Sequence, residues 1–171
     1  MPLVHSLILS HVGEWWCLLY LNFTRPNISF TTLQLSQFVH KPCTTHIDAA
    51  LHLVGHLKGC HERGLSFPIS NSFHLTAYYD VDWVSCVDSR RSLTGYRIFL
   101  GGALISWKTK KQTTIARSTA EAEYRSLGTT VFELQWISYV LQDLRIQVPT
   151  PIPLHCDNLA TLHIIANPVF H

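Results

Sequence analysis

Charge is what this sequence has least of. Of its 171 residues only 14% are Asp, Glu, Lys or Arg, while 47% are hydrophobic; an ordinary soluble domain carries roughly a quarter charged residues. So little charge points to a piece that packs against more protein and dissolves poorly alone. Cysteine pairing is missing too. The five thiols Cys17, Cys43, Cys60, Cys86 and Cys156 form no CxxC motif, and their odd number argues against a disulfide framework. An unbroken apolar run is absent as well: in MPLVHSLILSHVGEWWCLLYL, His5, His11 and Glu14 interrupt the apolar residues and no basic segment precedes them. That stretch reads as a helix of a soluble protein, not a signal peptide or a membrane span. The expectation is an intracellular chain, cytoplasmic or nuclear, with no membrane contact. There is no internal repeat and no low-complexity tract.

Acidic residues are absent from one long segment. Between Ser89 and Ala120 there is no Asp or Glu, while Arg90, Arg91, Arg97, Lys108, Lys110, Lys111 and Arg117 supply 7 of the 13 basic residues. Asp80, Asp82 and Asp88 precede this segment and Glu121 and Glu123 follow it. A run of cations with no acidic neighbour suits a phosphate backbone; as a plain solvated face it would need no partner.

The length suits one domain plus part of another. From the start to about residue 67 the texture is helical, with apolar stripes in TTLQLSQFVH and HIDAALHLVGHLKG punctuated by Pro26, Pro42, Gly59 and Gly64. GLSFPISNS reads as a connector, so a boundary falls near residue 70: a small, mainly helical segment over 1–70 and a second domain over 71–171. The second begins with strand candidates at 74–82, 95–101 and 103–108, the last two joined by a Gly101 and Gly102 turn. A helix over 119–144 follows, with an apolar stripe of Ala120, Tyr124, Leu127, Val131, Leu134, Ile137, Leu141 and Leu144. After VPTPIP come a short strand, LHC, and a last helix, LATLHIIA. The fold class is α/β, a mixed sheet with packed helices.

Within HLTAYYDVDWVSC, Asp80 and Asp82 lie one pleat apart and share a face of the strand. As solvated residues at a strand end they need no further explanation; as metal ligands they need more carboxylates. In RSTAEAEYRSL only one of Glu121 and Glu123 can face the sheet. Ser118 and Glu121 fit a capping box, which occupies Glu121 at the helix start. Glu123 then sits at the edge of the inward face, where an unpaired carboxylate needs a cation. Asp157 in LHCDNLAT stands at the carboxyl end of a strand; it suits a helix N-cap, or a ligand site of the kind that collects at such ends. Three carboxylates of this kind favour hard divalent ions, Mg²⁺ or Mn²⁺, over zinc. Cys43, Cys60, His46 and His61 show no repeated ligand spacing, and Trp15, Trp16 and Trp83 read most simply as core.

YYDVDW, DSRRSLTGYRIFLGGALISWKTKKQTTIARSTAEAEYRSL, LHCDN and ANPVFH, taken in order, resemble the RNase H domain of copia-type LTR retrotransposon Pol polyproteins. LLYLNFTRPNISF, LSQFVHKP and HLKG resemble the end of the reverse transcriptase region just before it. The resemblance implies an RNase H-like sheet and metal-dependent cleavage of the RNA strand of an RNA–DNA hybrid. Asp80, Glu123 and Asp157 match the catalytic, metal-holding positions, with Asp82 in a secondary acidic position. Arg90, Arg91, Lys108, Lys110, Lys111 and Arg117 would grip nucleic acid, and the rest of a Pol polyprotein would be a partner in the parent element. The sequence departs from the pattern in four respects. The pattern is expected to continue past His171 into a segment bearing a fourth aspartate and a further helix, which this sequence does not include; it also carries no polymerase palm, has extra residues around VGEWWCLLYL, and places Tyr79 where a small hydroxyl residue is usual. Without the fourth carboxylate the expected activity is impaired; the competing expectations are a nucleic-acid-binding remnant without catalysis and a non-functional relic.

Overall fold

Two segments of different texture form two compact units. A computed structural model describes residues 17–70, 72–158, 163 and 167, and the chain divides between Leu65 and Ser66 into two compact units.

The first unit is helical. Residues 17–21 are helical, a 3₁₀ turn spans Pro26–Ile28, and α1 (Ser29–Ser36) and α2 (Thr44–Gly59) follow. Pro26 suits the first position of its turn because its fixed φ is already helical and its missing N–H would have had no partner there. Cys43 caps α2, its own N–H donating to His46 Nδ1 at 3.2 Å. That histidine acts as the acidic partner of an ordinary capping box does. Leu18, Ile28, Leu35, Ala50 and Leu53 form the core.

The second unit is built on a four-stranded mixed sheet in the order β3-β2-β1-β4. Its strands are β1 (Leu75–Asp82), β2 (Leu93–Leu100), β3 (Ala103–Lys111) and β4 (Leu154–His155). β1 and β2 pair antiparallel from Leu75↔Leu100 to Asp82↔Leu93. The β2–β3 hairpin closes at Leu100↔Ala103, where Gly101 takes the left-handed φ of 57° that a side chain would resist. β4 pairs parallel with β1 through only Ala77↔Leu154 and Tyr78↔His155. One long helix, α3 (Thr119–Asp143), covers one face of the sheet. Its Leu134, Ile137 and Leu141 pack on Leu75, Ala77, Tyr79, Tyr96 and Ile98. This is the RNase H-like α/β arrangement expected of the sequence.

The inward face of α3 differs from the expected stripe in its first half and at its C-terminal end. Ala122, Glu123, Ser126 and Thr130 are buried there, while Tyr124 and Val131 are each 45% exposed and Leu144 is 64% exposed. The buried line runs 123, 126, 130, 134, 137, 141, a true helical spacing, but its first turns are small and polar because they pass over the end of the sheet that carries Asp80. Trp83 is also 47% exposed instead of being core. The expected last helix, Trp15 and Trp16 lie outside the described residues, except for helical His163.

Candidate functional site

Parallel pairing brings the carboxyl ends of β1 and β4 side by side. Tyr78 and His155 are the last paired residues, their rings stacked with centroids 4.9 Å apart. Asp80 and Asp157 each follow two residues later, so the register alone sets them next to each other. The third carboxylate comes from α3. Ser118 ends an extended segment and caps the helix, its Oγ accepting from the Glu121 N–H at 3.1 Å. Glu121 Oε2 accepts from the Arg117 N–H at 2.7 Å, and its Oε1 meets Arg125 Nη2 at 2.6 Å. Glu121 is thereby occupied at the helix start, as the capping pattern implied, although its carboxylate reaches the N–H one residue before the cap. Glu123, two residues on, turns inward.

Asp80, Glu123 and Asp157 each offer a carboxylate oxygen, and these oxygens all lie within 4.8 Å of one another. Asp80 and Asp157 are exposed and Glu123 is 5% exposed. Asp80 Oδ1 accepts from the Val81 N–H at 2.7 Å, and the buried Ser126 hydroxyl donates to the Asp80 carbonyl at 3.4 Å. Glu123 Oε2 is buried with no hydrogen-bond partner. Burial first, then the Asp80 and Asp157 charges, push the Glu123 carboxyl from 4.5 up to about 7, against a hydrogen bond from Asn158 that favours ionisation. Tyr79, buried beneath the site, has its phenol pushed well above the usual range, first by burial and then by Cys156, Glu123 and Asp157.

Unneutralised carboxylates this close repel, and an orphaned buried oxygen is costly. A hard divalent cation relieves both, and an all-oxygen donor set fits Mg²⁺ or Mn²⁺. Asp82, exposed at the last position of β1, falls outside the group. Among the described residues no other set of His, Cys, Asp or Glu converges in this way, the Cys43, Cys60, His46 and His61 set included.

The six cations expected to face nucleic acid occupy β3 and two loops. Lys108 and Lys110 are exposed on β3, opposite Tyr96 and Thr94. Arg91 and Arg117 are exposed, as is Arg90, which takes a left-handed φ of 53°. Lys111 differs: its ammonium donates to Cys86 Sγ at 3.3 Å. Ser89 first and Lys111 next pull that thiol down to about 7. Sequence reasoning missed Ser126 and Asn158 as neighbours of the carboxylates. Ser126 was findable, since it lies one helical turn after Glu123; Asn158 gave no signal beyond adjacency to Asp157.

Fold and site together define an RNase H-like α/β protein with a carboxylate cluster at the carboxyl ends of its strands. No protein-family model matches the chain, and no solved structure matches it. Retrovirus-related Pol polyproteins from transposons RE1 and RE2 of Arabidopsis thaliana are each 42% identical over 152 residues, 89% of this chain and 10% of the relative. Secreted RxLR effector protein 161 of Plasmopara viticola is 38% identical over 130 residues, 76% of this chain and 90% of that protein. The chain belongs to the Pol polyprotein family of copia-type retrotransposons, and it spans about a tenth of the length of the RE1 and RE2 relatives. Among the described residues no helix is long and apolar enough to cross a membrane.

Proposed function

We propose that the second unit is an RNase H-type nuclease site that hydrolyses the RNA strand of an RNA–DNA hybrid. The observation that carries this is the convergence of Asp80, Glu123 and Asp157 within 4.8 Å, with a buried Glu123 oxygen that nothing in the described protein satisfies. Asp80, Glu123 and Asp157 would hold Mg²⁺ or Mn²⁺. When bound, that cation acidifies a water molecule and offsets charge on the phosphodiester. The protein's own part is placement. The cap at Ser118 fixes the start of α3, Ser126 and the Val81 N–H hold Asp80, and the burial of Glu123 strengthens its pull on a cation. Water adds to phosphorus, one ester oxygen leaves, and the RNA chain is broken into two. Exposed Arg90, Arg91, Lys108, Lys110 and Arg117 supply phosphate attraction for the hybrid, with Lys111 committed to Cys86.

The test is cleavage of a labelled RNA–DNA hybrid in Mg²⁺ or Mn²⁺ by the whole chain and by Asp80→Asn and Glu123→Gln. Each variant is expected to lose at least about 100-fold of the rate, the upper end of what is lost when only an outer partner of a metal ligand is removed. Hybrid binding with no cleavage by the unaltered chain overturns the reading in favour of a non-catalytic nucleic-acid-binding remnant.

A further inference from the structure

The first unit carries a pair of histidines that its fold does not use. His52 and His56 stand one turn apart on α2, in the run HLVGH. Residues four apart on a helix are neighbours on one face, with Cβ atoms about 5–6 Å apart. The core side of α2 is formed by Ala50 and Leu53, with Ile47, Val54 and Leu57 packed beside them. Both histidines are exposed, and among the described residues neither imidazole makes a hydrogen bond or an ion pair.

The surroundings of the pair favour a cation. Gly55 lies between the two, and a side chain added there would meet nothing within 4 Å, so the surface is open to an ion and its waters. Asp48 continues the same row one turn before His52 and is exposed, which brings a negative charge toward the pair. The nearest basic residue of the helix, Lys58, is two positions past His56 and so faces another way. Two imidazoles suit Zn²⁺ and its first-row neighbours, which take nitrogen ligands where Mg²⁺ takes oxygen. This end of α2 is also weak. Gly55 and Gly59 loosen it, and Cys60 closes it with a φ of −135°, without the left-handed residue that commonly ends a helix. The first unit depends on that end, because Arg25 donates to the carbonyls of Cys60 and His61 just beyond it.

We propose that His52 and His56 form a two-histidine Zn²⁺ site, with water completing the shell and Asp48 adding attraction from the next turn, and that the bound ion braces the last turns of α2. The site shares no residue with the carboxylate cluster and stands whether or not the nuclease reading does.

A zinc titration of the whole chain, read by competition with a chromogenic zinc indicator, tests this. His52→Gln and His56→Gln are each expected to weaken one zinc equivalent at least about tenfold, since even an outer partner of a metal ligand is worth that much. Leu51→His combined with His52→Gln keeps the number of histidines but sets the pair five residues apart, on different faces; the same loss is expected. Asp80→Asn and Cys60→Ser are expected to leave that equivalent unchanged. Amide exchange over residues 56–60 should slow about tenfold when free zinc is about ten times the dissociation constant, and should not slow in His52→Gln. Undiminished zinc binding in His52→Gln, in His56→Gln or in the shifted pair overturns the site. Loss of the equivalent in Asp80→Asn assigns it to the carboxylates, and loss in Cys60→Ser assigns it to a His56 and Cys60 pair; either result also overturns the site. Exchange that zinc does not slow overturns the brace.

Discussion

Replacing Glu123 by Gln should stabilise the metal-free protein at alkaline pH, and should abolish the stabilisation by Mg²⁺ expected of the proposed site. Burial and the charges of Asp80 and Asp157 lift this carboxyl from 4.5 to about 7. The folded pKa lies above the unfolded one, so the group's contribution is fully present below 4.5, fades as pH rises, and is gone above about 7. At about 1.4 kcal/mol per pH unit this displacement corresponds to about 3 kcal/mol. Two of the three carboxylates stand in water, and screening reduces the figure to about 1–2 kcal/mol. Thermal melts followed by circular dichroism in chelator should therefore show Glu123→Gln melting roughly 5 °C above the unaltered chain at about pH 8. The gap should close at about pH 4.5, where the carboxyl is protonated folded or unfolded. Added Mg²⁺ should raise the melting temperature of the unaltered chain and leave the variant where it was. A variant that melts at or below the unaltered chain at alkaline pH, or a gap that persists unchanged in acid, would refute the argument that Glu123 is a strained, cation-seeking carboxylate.

Other consequences are more local. Ile98 has no exposed surface, and Ile98→Ala should cost about 2–5 kcal/mol in urea unfolding. Ser118→Ala removes the acceptor for the Glu121 N–H and should cost about 1 kcal/mol, read as a lower unfolding midpoint. Gly101→Val forces a branched residue into a φ of 57° and should cost at least about 1 kcal/mol, again by denaturant titration. The phase of α3 can be tested directly. Ser126→Leu should cost about 1–3 kcal/mol through overpacking, whereas Tyr124→Ser, at a 45% exposed position, should change stability by no more than about 0.5 kcal/mol.

The order of strands and helices was legible because apolar periodicity and turn residues agree there. Gly101 and Gly102 close the hairpin, and the helix read at 119–144 is observed as Thr119–Asp143. The three clustered carboxylates could be picked out for a mixed reason. Spacing and capping separated Glu123 from Glu121, but family resemblance was needed to join Asp80 and Asp157 across a long stretch of chain. What failed was hydrophobicity as a guide to burial near the site. Ser126 and Thr130 face inward because the helix must lie close over a polar sheet end, and the apolar side chains beside them face water instead. Phe132, Trp136 and Tyr139 are 79%, 61% and 57% exposed, so the low charge of the sequence finds its counterpart on the outer side of α3.

The strand that delivers Asp157 is two residues long, tied to β1 by Ala77↔Leu154 and Tyr78↔His155 and, just before them, by the Ala77 N–H to the Pro153 carbonyl at 3.0 Å. So brief a ladder opens at low cost. One jaw of the carboxylate grip is thus hinged while the other two are set in the sheet and the long helix. A divalent ion closing on all three would act as a clasp, and amide hydrogens at this seam should exchange more slowly with deuterium once it is fastened.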